Sequence, residues 1–193
     1  MTNAAEKIIV ALDVASKEKA LELVDQLRDQ ISFFKIGLQL YTAEGPEIVR
    51  AVLSTGARVW LDLKLYDIPN TVARAVESAS TLGVQMLTIH LSGGSDMIRA
   101  ATAARASDML LLGVTVLTSA TEQTLREIGI TAAVEDQVLR LAKLGAEAGI
   151  DGVVASPREA IQAGADYIGI GRPITGHAQP REALAKILDE LPN

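Results

Sequence analysis

Seven short apolar runs punctuate the chain, and longer segments with apolar residues at helical spacing separate them. The runs are KIIVALDV (7–14), FFKIGL (33–38), ARVWLDLK (57–64), QMLTIHL (85–91), MLLLGVTVL (109–117), DGVVAS (151–156) and DYIGIG (166–171). Between them lie SKEKALELVDQLRDQ, GPEIVRAVLSTG, NTVARAVESASTLG, SDMIRAATAARA and EDQVLRLAKLGAEAG, several of which end at Gly, a common helix stop. Strand–helix alternation of this kind builds a parallel sheet with crossover helices, an α/β fold. At 193 residues, 49 % hydrophobic and 22 % charged, the chain has material for one core, and residues 1–193 are read as a single domain. Aromatics are only 3 %, so aliphatic side chains must do the packing.

An open doubly wound sheet and a closed barrel share this rhythm. The polar residues favour the barrel, because they recur at the C-terminal ends of many strands: Asp13, Lys35, Asp62, Lys64, His90, Thr118 and Ser119. A barrel assembles its site from many strand ends at one face, whereas a doubly wound sheet gathers it at one switch point. No G-x-G-x-x-G follows the first run. The expected architecture is a TIM-type (β/α)8 barrel. Such a barrel has eight strands and typically about 250 residues. Seven strands are legible here, and only PREAIQAGA separates the last two runs.

The most informative stretch is VWLDLKLYDIPNT, residues 59–71. Side chains alternate across a strand. Val59, Leu61 and Leu63 share one face and can pack on helices. Trp60, Asp62 and Lys64 share the other, with Trp60 packing near the barrel interior and the charges near its mouth. Asp67 follows in the loop. Two carboxylates around an ammonium suit a held proton donor or an electrostatic clamp. They do not suit an amine nucleophile, which needs its charged form disfavoured. A charge network on an apolar strand costs desolvation energy and tends to mark a site. Pro69 should stop the strand, and Asn70 or Thr71 can cap the helix that follows.

Other functions are disfavoured. A net charge of -6 argues against a broad nucleic-acid surface, and the absence of Cys excludes disulfides and cysteine-ligated zinc. The N-terminus carries no signal-peptide pattern, and the longest apolar stretch is too short to span a bilayer, so a cytoplasmic chain without membrane partners is expected. His90 has no second strand-end His with which to form a metal pair. It reads as a hydrogen-bonded structural group. Arg172 after GIG suits a phosphate, since phosphate sites in barrels gather near the last strands.

DLKLYDIPNT resembles the signature of the orotidine 5'-phosphate decarboxylase family, which makes UMP from orotidine 5'-phosphate (OMP). VALDV, FKIGLQLY, GPEIVR, IHLSGG, VTVLTS, DGVVAS and GADYIGIGRPI follow in family order. The resemblance implies that Asp13 and Lys35 hold ribose hydroxyls and extend the charge network. Asp62 would face the substrate carboxylate, and Lys64 would protonate the ring carbon that loses CO2. Asp67 and Thr71, with Ile68 beside them, would reach the active site of a partner subunit in a homodimer. Thr118 and Ser119 would lie by the pyrimidine, and Gly171 and Arg172 at the phosphate. The resemblance implies no cofactor and no metal.

The family carries a further helix, strand and loop after DGVVAS. The strand bears TPGIR, and the loop bears a Gln and an Arg that close over the phosphate. Both are absent here, and the junction falls at Ser156–Pro157. One βα unit is therefore expected to be missing, with turnover impaired. Two other readings remain open: a related sugar-phosphate decarboxylase, some of which use Mg2+, and a non-catalytic nucleotide-binding variant of the barrel.

Overall fold

A strand inside a parallel sheet buries both faces, so it is written as consecutive apolar residues rather than an alternation. Strand β1 (Ile8–Ala11) is of this kind, with all four residues buried. The computed structural model describes residues 3–155 and 165–190, so the Ser156–Pro157 junction lies outside the described residues. The chain forms two compact units. One draws on residues 1–62, 82–85 and 161–193, and the other on 63–81 and 86–160.

In the first unit, β1 lies between two parallel neighbours. It pairs with β2 (Phe33–Gly37), placing Ala11 opposite Lys35, and with β7 (Ile168–Ile170), placing Ile9 opposite Gly169. β2 in turn pairs with β3 (Arg58–Leu65) through Phe33–Arg58, Lys35–Trp60 and Gly37–Asp62. Helix α2 (Lys17–Leu27) starts at Ser16, whose side chain accepts from Lys19 N, and buries Ala20, Leu23, Val24 and Leu27. That spacing gives one apolar face. Arg181 at the start of the C-terminal helix, Pro180–Glu190, forms a two-pronged pair with Asp29 and donates to the Gln26 carbonyl at 3.0 Å. This ties the last helix to the end of α2.

Two local readings need correction. FFKIGL was expected to remain extended to residue 38, yet Leu38 opens helix α3 (Leu38–Glu44). Gly45, at φ 66, ends α3, and Pro46 begins α4 (Pro46–Leu53). Glycine reaches that backbone region at no steric cost, and proline is pre-set for a first helical turn. Likewise, α5 (Pro69–Leu82) begins at Pro69, so Asn70 and Thr71 lie inside its first turn rather than capping it. The Ile68 carbonyl takes the first helical bond, from Val72 N at 3.2 Å.

The second unit has the order β4 (Met86–His90), β5 (Leu110–Val114), β6 (Gly152–Val154), all parallel, with His90 opposite Val114 and Val114 opposite Val154. Leu91, fully buried just after β4, wedges between β5 and helix α8 (Val134–Glu147). A Cβ at Gly113 would lie 2.6 Å from Leu91 Cδ1 and Cδ2, and one at Gly145 would lie 3.1 Å from them. A side chain at Gly113 would therefore force Leu91 to shift, and one at Gly145 would crowd it. At the opposite end of β5, Asp151 accepts from Leu111 N at 2.8 Å and from Arg105 Nη2 at 2.9 Å. This clamp fixes where β6 starts.

Candidate active site

The first unit places three charges at the ends of adjacent strands. Lys35 projects from β2, Asp62 from β3, and Asp13 from the segment after β1. Lys35 Nζ lies 3.2 Å from Asp62 Oδ2 and 3.6 Å from Asp13 Oδ1. Register explains the meeting: Trp60 stands opposite Lys35, and Asp62, two residues on, falls on the same face. The Lys35 ammonium also lies 5.9 Å from the centre of the Trp60 ring, within cation–π range. Side-chain exposure is 15 % for Lys35 and 10 % for Asp62, but 47 % for Asp13. The Lys35–Asp62 pair is therefore the desolvated one, and Asp13 faces solvent.

Glycines clear space around this cluster. A Cβ at Gly37 would lie 3.4 Å from Lys35 Nζ, and one at Gly171 would lie 3.0 Å from Asp13 Oδ2. Gly169 leaves room for the indole, since its Cβ would lie 3.4 Å from Trp60 Cζ3. Trp60 Nε1 is buried with no hydrogen-bond partner among the described residues. Arg172 follows Gly171 directly, at the exposed start of the short helix Arg172–Thr175.

The second unit holds the rest of the motif. Lys64 has φ 51 and is the one non-glycine residue with positive φ among the described residues. A left-handed conformation at lysine costs about 1–3 kcal/mol and persists only where the surroundings impose it. The Lys64 amide donates to Thr88 Oγ1 at 2.9 Å, and Thr88 is fully buried in β4. Simple alternation along β3 therefore stops at Lys64. Beyond it, residues 66–71 are all exposed, including Tyr66 and Ile68 at 63 % and 66 %. Asp67 Oδ1 accepts from Ile68 N at 2.6 Å and shapes the entry to α5. Thr71 lies in the first turn of that helix, and Thr118 and Ser119 lie exposed in the loop after β5. His90 meets the Tyr66 ring edge-to-face at 6.0 Å.

The structure thus joins Asp13, Lys35, Asp62 and Gly171 in one cluster. It places Lys64, Asp67, Ile68, Thr118 and Ser119 at strand ends and loops of the other unit, and Thr71 in the first turn of α5. Sequence reasoning missed Thr88, whose signal was a lone hydroxyl inside the apolar run MLTIH. It also read Trp60 as packing alone.

Residues 6–162 match the model of the orotidine 5'-phosphate decarboxylase / HUMPS family. The chain belongs to this family. It is 38 % identical over 231 residues to the orotidine 5'-phosphate decarboxylase of Carboxydothermus hydrogenoformans, covering 97 % of this chain and 96 % of the relative. The corresponding protein of Idiomarina loihiensis is 42 % identical over 228 residues, covering 97 % and 99 %. Among solved structures, orotidine 5'-phosphate decarboxylase from Lactobacillus acidophilus superposes with TM-score 0.87 at 32 % identity, covering 96 % of this chain and 98 % of that one. An uncharacterized conserved protein from Geobacillus kaustophilus gives 0.85 at 34 %, covering 95 % and 99 %. The family assignment and these likenesses give the α/β-barrel fold expected from the polar residues at the strand ends.

The family comparison also bears on length. Coverage of 97 % of 193 residues is about 187 residues, spread over the 231 positions aligned with the Carboxydothermus protein. About 44 of those positions, 231 less 187, therefore have no counterpart in this chain. The family match stops at residue 162, just past the Ser156–Pro157 junction. Among the described residues, no helix is long and apolar enough to cross a membrane.

Proposed function

We propose that the chain is a cofactor-free decarboxylase that converts OMP to UMP in pyrimidine biosynthesis, working in the cytoplasm as a homodimer. The observation that carries this is the Asp13–Lys35–Asp62 ion-pair cluster, with Lys64 following two residues after Asp62 in the D-x-K-x-x-D segment. In this reading the bond between the pyrimidine ring carbon and the carboxylate breaks, and CO2 leaves. The electron pair stays on the ring carbon and takes a proton from Lys64 Nζ, which solvent then replenishes. A fixed ammonium stabilises the developing carbanion and serves as its acid. Asp62 disfavours the substrate carboxylate more than the transition state, and phosphate binding at Gly171 and Arg172 offsets that repulsion. Asp13 and Lys35 hold ribose hydroxyls, and Thr118 and Ser119 lie by the base. The exposed run 66–71 supports Asp67, Ile68 and Thr71 as residues offered to a partner subunit's site.

The absent positions favour a second reading, in which the chain binds nucleotide without turning it over. OMP consumption and UMP affinity, measured on the purified chain, separate the two. Turnover is expected on the order of 100-fold or more below that of a relative with the full segment, because donors that close over the phosphate are lost. Lys64→Ala should abolish what remains. UMP binding with no decarboxylation would leave the second reading. Decarboxylation that survives Lys64→Ala would remove Lys64 as the proton donor.

A further inference from the structure

We propose that Thr88 is a positioning residue for the decarboxylation: it fixes the left-handed backbone turn at Lys64 and thereby the place of the Lys64 ammonium. This deepens the proposed function and rests on it for the role of Lys64. Three observations converge. Lys64 alone among the described non-glycine residues has positive φ, at 51°. Its amide donates to Thr88 Oγ1 at 2.9 Å. Thr88 is fully buried, at 0 % exposure, among the apolar and buried Met86, Leu87 and Ile89 of β4.

A hydroxyl in such a place is unfavourable unless it makes hydrogen bonds. Here one of its lone pairs receives a backbone N–H whose direction is set by the turn. Without that acceptor, the Lys64 backbone loses a restraint that holds it away from an ordinary extended or right-handed conformation. The side chain would then leave from a different direction. A proton donor displaced by an ångström loses much of its effect on rate while barely altering ligand affinity. The rest of the nucleotide is held by other residues.

The test compares Thr88→Val, which keeps shape and removes the acceptor, with Thr88→Ser, which keeps the hydroxyl. Lysine-selective 15N labelling follows hydrogen exchange at the Lys64 amide, and turnover of OMP and affinity for UMP are measured in parallel. Thr88→Val should speed exchange at Lys64 about tenfold and lower kcat by roughly tenfold or more, with UMP affinity within about twofold. Thr88→Ser should restore both. If Thr88→Val does not fold, Thr88→Ala takes its place.

Unchanged exchange at Lys64 in the variant lacking the hydroxyl would overturn the proposal. So would kcat within about twofold of the parent, or equal losses in the Ser and Val variants. If the parent binds UMP but does not turn over OMP, the proposed activity fails, and the exchange measurement alone decides whether Thr88 holds Lys64.

Discussion

Replacing Lys35 with Met removes the ammonium between Asp62 and Asp13 while keeping the length of the side chain. The gross attraction at 3.2 Å to Asp62 is about 5 kcal/mol at an effective dielectric near 20. That to Asp13 at 3.6 Å is nearer 1 kcal/mol, because this carboxylate is 47 % exposed and water screens it. Desolvation of Lys35 and Asp62 cancels much of the larger figure. Breaking a buried pair by deleting one partner costs about 3–5 kcal/mol. Asp62 retains its other contacts here, so the expected loss is smaller, about 2 kcal/mol. For a chain of this size that lowers Tm by about 4–8 °C. Adding Asp62→Asn should recover more than half of the loss, since the poorly compensated carboxylate is then gone. Urea and thermal unfolding of the parent, both single variants and the double variant give the coupling directly. A Lys35→Met loss below about 0.5 kcal/mol, or additive single effects, would refute the view of this cluster as a desolvated, mutually dependent network.

Gly113→Ala should destabilise by about 1–3 kcal/mol, because the new Cβ enters the volume of Leu91; a thermal melt within 1 °C of the parent would contradict the wedge. The Arg181 guanidinium holds the Asp29 carboxyl below its ordinary value of 3.8. A carboxylate lowered on folding stabilises above its unfolded value and loses that contribution as pH falls through the lowered one. The Tm deficit of Asp29→Asn should therefore be present at pH 7, shrink as pH falls below 3.8 and vanish only once pH is below the lowered folded-state value; a deficit that does not shrink in acid would show that the pair does not carry it. Trp60 is the only tryptophan in the chain and lies beside Lys35, so saturating UMP should shift its emission, and Trp60→Phe should abolish the signal. Calorimetric binding of UMP with constant emission would place the nucleotide away from the Asp13–Lys35–Asp62 cluster.

All seven strands were legible because parallel strands leave continuous apolar runs, as in IIVA, whose four residues are all buried, and LLLGV. The Asp13–Lys35–Asp62 meeting was legible through the family resemblance, which implied that Asp13 and Lys35 extend the charge network; the residues alone placed them only at strand ends. Leu38–Glu44 was not. LQLYTAE shows no helix cap, and its start depends on the turn at Gly37. Pro69 was read as an obstacle, although a proline at a first helical position is a starter. The conformation of Lys64 could not be read at all. Lysine gives no local hint of positive φ, and the Thr88 hydroxyl that meets its amide lies 24 residues away.

The left-handed lysine sets stability against purpose at a single position. Glycine or asparagine at residue 64 would relieve the backbone and leave a sturdier chain without the proposed proton donor. Selection for robustness alone would therefore erode this residue early. A thermostability screen of this chain run without a turnover assay should accept replacements at 64 readily, which makes that position a sensitive indicator of which property a lineage or an engineer has been rewarding.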